Sequence, residues 1–273
     1  MPAGFALCTV QLEWLEEDGP RSEQAYQMYD PKGNGRERAV DAVQFVEALP
    51  PAHLSGIVHR FLELKTQSAL PSDYRFHALP DACTYAIFDQ LDPKAAGITR
   101  LRASSEELNL QRSFHYVNIR FLPGVWQRDR EPVAYGLVNG GYSGGLPLVS
   151  LNKEMSGLDF VAKQAVMSKF VDGLVSDQTV VANPVTEKIF QNIDAIRTVA
   201  DMAEIANLSP RQLQRVLKKT TGFAPHDFLK VLRLQQSLDG EPSLAYADQS
   251  HFIHSFRKAT GYTPEKYARK FDV

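Results

Sequence analysis

A twelve-residue segment occurs twice near the carboxyl end of the 273-residue chain, and this internal repeat constrains the fold more than any other feature. Residues 217–228 read LKKTTGFAPHDF, and residues 256–267 read FRKATGYTPEKY. In each copy a basic helix end is followed by a glycine (Gly222 or Gly261), which tolerates the left-handed backbone that often ends a helix. A proline three residues later can begin another helix. The repeat therefore predicts two related helical units.

A helix–turn–helix pattern lies immediately before the first copy of the repeat. Thr198 can cap one helix with Asp201 as its acidic partner, and Ser209 can cap the next helix. On that next helix Leu213 and Leu217 recur at helical spacing and are expected to face inward. The polar residues that remain for the outward face are Arg211, Gln212, Gln214, Arg215, Lys218 and Lys219.

The outward residues of this helix suit the recognition of nucleic acid. Arginine can bind guanine through two hydrogen bonds, glutamine can bind adenine, and lysine suits phosphate. Arginine and glutamine are also common on solvated helices of ordinary bundles, and short helix–turn–helix patterns are not specific. The local pattern alone therefore leaves a DNA-reading helix and a solvated bundle helix as equal alternatives.

Four spaced motifs extend this pattern over residues 195–271. They read SPRQLQRVLKKTTG at 209–222, FLxxxRL at 228–234, ADQSHFI at 247–253 and TGYTPxxY at 260–267. Together they resemble the AraC/XylS family of bacterial transcription regulators. The resemblance implies two helix–turn–helix subdomains joined by a long helix, here about Pro225 to Leu238. It also implies that the two recognition helices enter successive segments of the major groove.

The same resemblance implies the partners of the chain. These are double-stranded promoter DNA, RNA polymerase, a small-molecule effector and a second copy of the chain in a homodimer. It leaves open the effector, the operator sequence, and whether the protein activates or represses transcription.

The second unit departs from the family pattern. Residues 239–245, DGEPSLA, contain a glycine and a proline where the first unit has a helix, and about a dozen residues are missing there. In the second recognition helix, about Gln249 to Ala259, Arg215 of the first unit is replaced by His254. We therefore expect a weakened second unit, reduced toward phosphate anchoring. Its polar residues available for DNA are Gln249, His251, His254, Arg257 and Lys258.

The amino-terminal half has a different texture, with short apolar runs divided by turn-forming residues. Between about residues 54 and 122 these runs predict an antiparallel β-barrel or sandwich, although short apolar runs also occur as buried helices. The candidate strands are 57–64, 74–79, 84–88, 98–101 and 114–122, and a turn is predicted at 31–35. The predicted class is α+β, with a β domain at 1–150, a helical linker at 151–183 and a DNA-binding domain at 184–273.

Two short motifs, ALPDAC at 78–83 and NIRFLPG at 118–124, resemble the cupin-like sensory halves of one branch of the same family. This weaker resemblance implies a barrel that senses a small molecule or a partner. Aromatic residues on the strands are candidates for a ligand pocket, but at alternating spacing they are core residues first. The candidates are Phe61, Tyr74, Phe88, Tyr116 and Phe121.

Four arginines, Arg60, Arg75, Arg100 and Arg120, lie on candidate strands, and any of them that points inward would favour an anionic ligand. The linker helix predicted at 158–175 carries an apolar face that includes Leu158, Val161, Ala162 and Ala165. That face can form a dimer seam or pack on its own barrel.

Composition and charge limit the remaining function classes. The net charge of −2 divides into −5 for residues 1–193 and +3 for residues 194–273, so only the carboxyl-terminal part is basic. No run of 18 apolar residues predicts a membrane span, and Met1–Val10 lacks the basic residues of a signal peptide. We therefore expect a cytoplasmic protein.

Catalysis is not indicated by any local arrangement. His59, His77 and His115 are widely separated and form no His-x-His pair, and Cys8 and Cys83 cannot form a zinc site by themselves. The sequence predicts no metal, no cofactor and no enzyme activity. The rival to a DNA-binding regulator is a sensor or partner-binding protein whose DNA-binding half has degenerated.

Overall fold

The computed structural model describes residues 29–37, 42–99, 101–127, 133, 138–238 and 249–272. Two antiparallel sheets built mainly from the amino-terminal half are followed by eight α-helices, which is the α+β class that the sequence predicts. The expectations for Met1–Val10, Cys8, Arg100 and the segment 239–248 lie outside the described residues. Among the described residues, no helix is both long and apolar enough to cross a membrane.

Within the described residues nine strands form the two sheets. The strands are β1 (Asn34–Glu37), β2 (Val43–Ala48), β3 (Val58–Thr66), β4 (Arg75–Ala78), β5 (Thr84–Asp89), β6 (Ala96–Thr99), β7 (Glu106–Asn109), β8 (His115–Phe121) and β9 (Phe271–Asp272). A five-stranded sheet has the order β2-β3-β8-β5-β6, and a four-stranded sheet has the order β7-β4-β1-β9. The last strand of the second sheet therefore comes from the carboxyl end of the described chain.

The five predicted strands are confirmed, but the turn predicted at 31–35 is wrong. Asn34 and Gly35 lie in β1 and pair with β4, and the Leu79 amide donates to the Gly33 carbonyl at 3.0 Å. These contacts extend the segment along the sheet instead of reversing it. Tertiary pairing has overridden the local turn preference of the glycines.

Successive side chains of the five-stranded sheet point to opposite faces, and both faces are covered. On one face Phe61, Val117 and Phe121 belong to a core that includes Met167 and Val171 of a long helix. The other face is turned toward the four-stranded sheet. The space between the two sheets holds the cavity described below.

Eight α-helices follow the sheets in the part of the chain that the structure describes. They are α1 (Leu148–Glu154), α2 (Phe160–Ser176), α3 (Pro184–Gln191), α4 (Val199–Ile205), α5 (Pro210–Thr220), α6 (Pro225–Leu238), α7 (Gln249–Thr260) and α8 (Pro264–Lys270). The reciprocal caps predicted at Thr198 and Ser209 are present. Gly222 and Gly261 have φ angles of 82° and 81°, so the predicted left-handed residue ends α5 and α7 in the same way.

The predicted apolar face of the linker helix is wrong in its first turns. Val161 is 75% exposed and Ala165 is exposed, whereas Lys163 is buried on the face toward the sheet. The Lys163 Nζ donates to Glu63 Oε1 at 2.6 Å, and His115 contacts the same oxygen at 2.9 Å. Burial alone would raise the pKa of Glu63, but hydrogen bonds from Lys163, Lys65 and His115 lower it to about 2. A buried ion pair thus fixes the rotation of α2 on its own sheet.

Candidate DNA-binding surface and sensory cavity

The polar face of α5 is supported by a continuous apolar core. Leu213 and Leu217 are fully buried and pack in one cluster with Met202 of α4 and Phe228 and Leu232 of α6. Burying two leucines contributes roughly 3–6 kcal/mol relative to leaving them in water. This packing fixes which side of α5 faces solvent.

The structure places all six predicted residues of α5 at exposed positions. They are Arg211, Gln212, Gln214, Arg215, Lys218 and Lys219. The carboxamide oxygen of Gln212 caps the helix, because it accepts from the Ser209 amide at 2.9 Å and from the Ser209 hydroxyl at 2.8 Å. Its capping role leaves Arg211, Gln214 and Arg215 as the residues of this face that suit base contact.

The predicted second recognition helix has a different setting. The side chains of His251, His254 and Lys258 are exposed but line a crevice of about 500 Å³ that α7 shares with α6. The α6 residues of this crevice include Lys230 and Arg233. Of the predicted contacts on α7, Gln249 and Arg257 are exposed and do not line the crevice. The basic residues of α7 thus fall into two groups, since His251, His254 and Lys258 line the crevice and Arg257 does not.

The end of α7 is attached to the amino-terminal sheets. The Ser105 amide donates to the Ala259 carbonyl at 2.7 Å, and His77 Nε2 of β4 donates to the Thr260 carbonyl at 3.0 Å. The His77 ring stacks on Phe271, with centroids 4.9 Å apart. Burial lowers the pKa of His77, and the hydrogen bond to the Thr260 carbonyl opposes that shift. The second unit is therefore attached to the amino-terminal half by hydrogen bonds and by ring stacking on β4 of the four-stranded sheet.

A cavity of about 90 Å³ lies between the two sheets. Its walls are mainly apolar and come from β3, β4, β5 and β7 together with neighbouring residues: Leu62, Leu64, Phe76, Ile87, Leu108 and Leu110. Polar groups gather at one end, where Asp81, Tyr85, Asn118 and Arg120 line the space. An apolar body with a polar end is the usual composition of a small-molecule site.

The polar end of the cavity is a hydrogen-bonded cluster. The Tyr85 hydroxyl donates to Asp81 Oδ2, and the Cys83 amide donates to Asp81 Oδ1 at 3.0 Å. Arg120 is 3% exposed and donates to the Pro31 carbonyl at 2.9 Å and to Glu47 at 3.3 Å. Burial raises the pKa values of Asp81 and of the Cys83 thiol. The thiol is therefore held in its unreactive protonated form.

A strap formed by residues 29–33 connects this cluster to the helices. Besides the Arg120 bond to Pro31, the strap carries Tyr29, which stacks on Phe190 of α3 with centroids 4.5 Å apart. Gln235 of α6 is buried, accepts from the Lys32 amide at 2.7 Å and donates to the Lys32 carbonyl at 3.1 Å. Its amide also donates to the Pro80 carbonyl at 2.7 Å. The Gln235 side chain thus attaches α6 both to the strap and to Pro80, beside the polar end of the cavity.

Of the five aromatic residues predicted for a pocket, only Tyr116 lines this cavity. Phe61, Phe88 and Phe121 belong to the core on the opposite face of the sheet. Tyr74 packs against Phe114 in the apolar cluster that also contains the cavity-lining Leu64, Leu110 and Tyr116, but Tyr74 does not itself line the cavity. Sequence reasoning missed Asp81 and Asn118, and it named Arg120 only as one of four candidate inward arginines. The polar residues of Asn118-Ile-Arg-Phe alternate with apolar ones, and this period of two was the signal that they share one face.

The three histidines of the amino-terminal half lie in separate environments. His59 accepts from Arg120 and donates to Asp30 at 3.0 Å, and burial lowers its pKa to about 4. His77 and His115 bond to Thr260 and Glu63, as described above. Within the described ranges no group of three His, Cys, Asp or Glu side chains is placed to hold a metal ion.

Comparisons with known proteins give two distant structural similarities. No family model and no curated protein matches the sequence. A structure of an apo ToxT variant from Vibrio cholerae strain SCE256 is 12% identical, covers 84% of this chain and 97% of its own, and has a TM-score of 0.38. A second ToxT structure from Vibrio cholerae is 9% identical, with coverages of 84% and 99% and the same TM-score. This likeness is too low to assign a function, which must be argued from the residues of this chain.

Proposed function

We propose that the protein is a sequence-specific DNA-binding transcription regulator whose amino-terminal domain senses a small molecule or a partner. Residues 184–273 form the DNA-binding domain, residues 1–150 the sensory domain and residues 151–183 the helical link in this proposal. The observation that carries it is the exposed face of α5, on which Arg211, Gln214 and Arg215 project from a helix with a buried leucine stripe.

The chemistry of this face suits duplex DNA. A helix of 11 residues fits the major groove, where arginine and glutamine can read base edges. Lys218 and Lys219 in the last turn supply positive charge for phosphates. The short helix α4 packs beside α5, as a supporting helix does in a helix–turn–helix.

The strap supports the sensory part of the proposal. A ligand at the polar end of the cavity would touch Arg120, and Arg120 bonds to the strap that Gln235 holds against α6. Because α6 shares its apolar core with α5, a shift of the strap can be transmitted to the DNA-binding unit through packed contacts.

DNA binding is tested with the purified chain, by fluorescence anisotropy on promoter fragments from its own genome over a range of salt. We expect affinity to fall steeply with salt, because phosphate contacts release counterions. The Arg215→Ala substitution should cost about 1–3 kcal/mol and relax preference at one base pair. Lys169→Ala, which removes an exposed positive charge from α2, serves as the control. Equal loss on every sequence would show that Arg215 touches only phosphate.

A second candidate function is a sensor or partner-binding protein without DNA binding. It is favoured by the attachment of α7 to Ser105 and His77, which holds one predicted recognition helix against the amino-terminal half. Failure to bind any genomic fragment at low salt, together with tight binding of a ligand or partner, would select this candidate.

Homodimer formation and contact with RNA polymerase are further proposals from the resemblance. The buried side of α2 packs on its own sheet through Met167, Val171 and Leu174, so a dimer seam must use other residues. Leu158, Val161 and Val175 are exposed on or beside this helix. Sedimentation of the chain carrying Val161→Glu would show whether that side mediates association.

A further inference from the structure

The polar end of the cavity contains two buried atoms that need partners. Arg120 Nε is a donor and Asn118 Oδ1 is an acceptor, and neither has a hydrogen-bond partner within the part of the chain that the structure describes. Both residues lie on β8 two positions apart, so their side chains share the face toward the cavity, about 7 Å apart along the strand. Four other such atoms among the described residues belong to side chains outside the cavity lining, whereas these two belong to residues that line the cavity, where a bound molecule can reach them. Buried polar atoms without partners are costly, so a ligand that supplies both partners would be favoured here.

The charges around the cavity oppose a net-charged ligand, because a cation would meet Arg120 and Arg102 and an anion would meet arginines that already have acidic partners. Arg120 is paired with Glu47 at 3.3 Å, and Arg102, the other arginine of the lining, lies 3.8 Å from Glu106. Asp81 adds a buried carboxyl group to the same end. A ligand carboxylate would therefore meet no unpaired cation and would lie near a further acid. The structure thus removes the reason for expecting an anionic ligand from an inward arginine.

The size and walls of the cavity limit the rest of the molecule. A volume of about 90 Å³ holds about six to nine water-sized groups at 10–15 Å³ each. The apolar lining, which includes Leu64, Ile87 and Leu110, favours a compact hydrocarbon body. Gly33 lets the strap pack directly on the polar end, because an added Cβ would lie 2.4 Å from the Tyr85 hydroxyl and 2.6 Å from an Arg120 nitrogen.

We propose that the cavity binds a small, uncharged molecule with an apolar body and a carboxamide-like end. Its carbonyl oxygen accepts from Arg120 Nε, and its N–H group donates to Asn118 Oδ1. This assignment rests on the proposed sensory function and names the chemical class of its ligand. A carboxylate of the same shape satisfies Arg120 but lacks the hydrogen that Asn118 requires.

The test uses two probes of equal shape, cyclohexanecarboxamide and cyclohexanecarboxylate, titrated into the full chain by calorimetry at pH 7.5. We expect the amide to bind at least about tenfold more tightly than the carboxylate, the equivalent of one hydrogen bond. The Asn118→Leu variant should weaken amide binding by about tenfold. Asn192→Leu, at an exposed asparagine after α3, should leave it unchanged.

A measurement on the unaltered chain keeps the test independent of variant folding. In methyl-labelled protein, the amide should shift the NMR signals of Leu64, Ile87 and Leu110 and leave that of Val161, which is exposed on α2, in place. Equal or tighter binding of the carboxylate would overturn the uncharged class, and absence of binding or of these shifts would overturn the site. The titration contains no DNA, so failure of the chain to bind DNA would remove the proposed regulator function and leave this inference standing.

Discussion

In the first helical unit Leu213 and Leu217 of α5 pack against α4 and α6, whereas in the second unit Phe256 of α7 packs with Leu79 of the amino-terminal half. The two units share a sequence repeat and the same left-handed glycine, so their local structures agree. Their supports differ in composition, because the cluster around α5 is built mainly from helices together with Tyr29 and Ala82, whereas Phe256 of α7 packs with Leu79, Phe271 and Leu234 of α6. The comparison indicates that α5 is held mainly by neighbouring helices, while the end of α7 is also hydrogen-bonded to the amino-terminal half.

The largest effect is expected from removing the anchor of the second unit. Phe256→Ala deletes a buried ring that contacts Phe252 and Tyr267, at a cost of about 3–5 kcal/mol. Hydrogen exchange should show lost protection in α7 and α8 with α4 and α5 still protected.

The matched change in the first unit is Phe228→Ala, which should instead expose α4, α5 and α6. If Phe256→Ala opened α4 and α5 to the same extent, the two units would form a single cooperative core. The distinction drawn between them would then be wrong.

The next effect concerns Gln235, whose side chain is hydrogen-bonded to the strap and so attaches α6 to it. Gln235→Leu leaves the Lys32 amide and the Pro80 carbonyl without their partner, at about 1–3 kcal/mol for each buried group. Chemical denaturation should report this loss, and exchange should rise at residues 30–33 before it rises in α5. The neighbouring Gln236→Leu, whose amide bonds to Asp194 at the surface, should change stability by much less.

DNA affinity separates the two recognition helices more finely. Arg215→Ala should cost about 1–3 kcal/mol, and His254→Ala should cost less than about 1 kcal/mol, since His254 lines the crevice beside α6. Anisotropy titrations on one operator fragment give both numbers. The opposite ranking would show that α7 is the stronger reader and that the second unit is not weakened.

Lowering the pH should destabilise the second unit, by a smaller amount than the substitutions described above. Burial lowers the pKa of His77, so the unfolded or undocked state binds the proton more readily, and stability falls as pH drops below about 6.5. Glu107 opposes this shift and Lys270 adds to it. When the pH is lowered from 7.5 to 5.5, protection from hydrogen exchange should fall more in α7 and α8 than in α4 and α5. His77→Gln should remove that difference, and its persistence would assign the acid effect to another group.

Much of the fold follows from local rules. The caps at Thr198 and Ser209 and the paired glycines are determined by nearest neighbours along the chain, so the sequence predicts them correctly. The rotation of α2 was not predictable in this way. Lys163 faces the core because it pairs with Glu63, which lies 100 residues away in the chain.

The site was predicted less completely than the fold. The exposed face of α5 follows from helical periodicity, and the structure places those side chains as expected. The cavity end depends on which face of β8 is turned toward the second sheet, and both faces of that strand are buried. Periodicity separates Asn118 and Arg120 from Ile119 and Phe121, but only the packing of α2 on one side shows which pair meets the cavity.

The pairing of β9 with β1 also sets an order of events during synthesis. Arg36 leaves the ribosome more than two hundred residues before its partner Asp272, so the four-stranded sheet stays incomplete while the helices are being translated. Until then β1 presents an open backbone edge, which other chains can pair with. A chain that lacks Phe271 and Asp272 therefore keeps this edge of β1 unpaired and open to other strands.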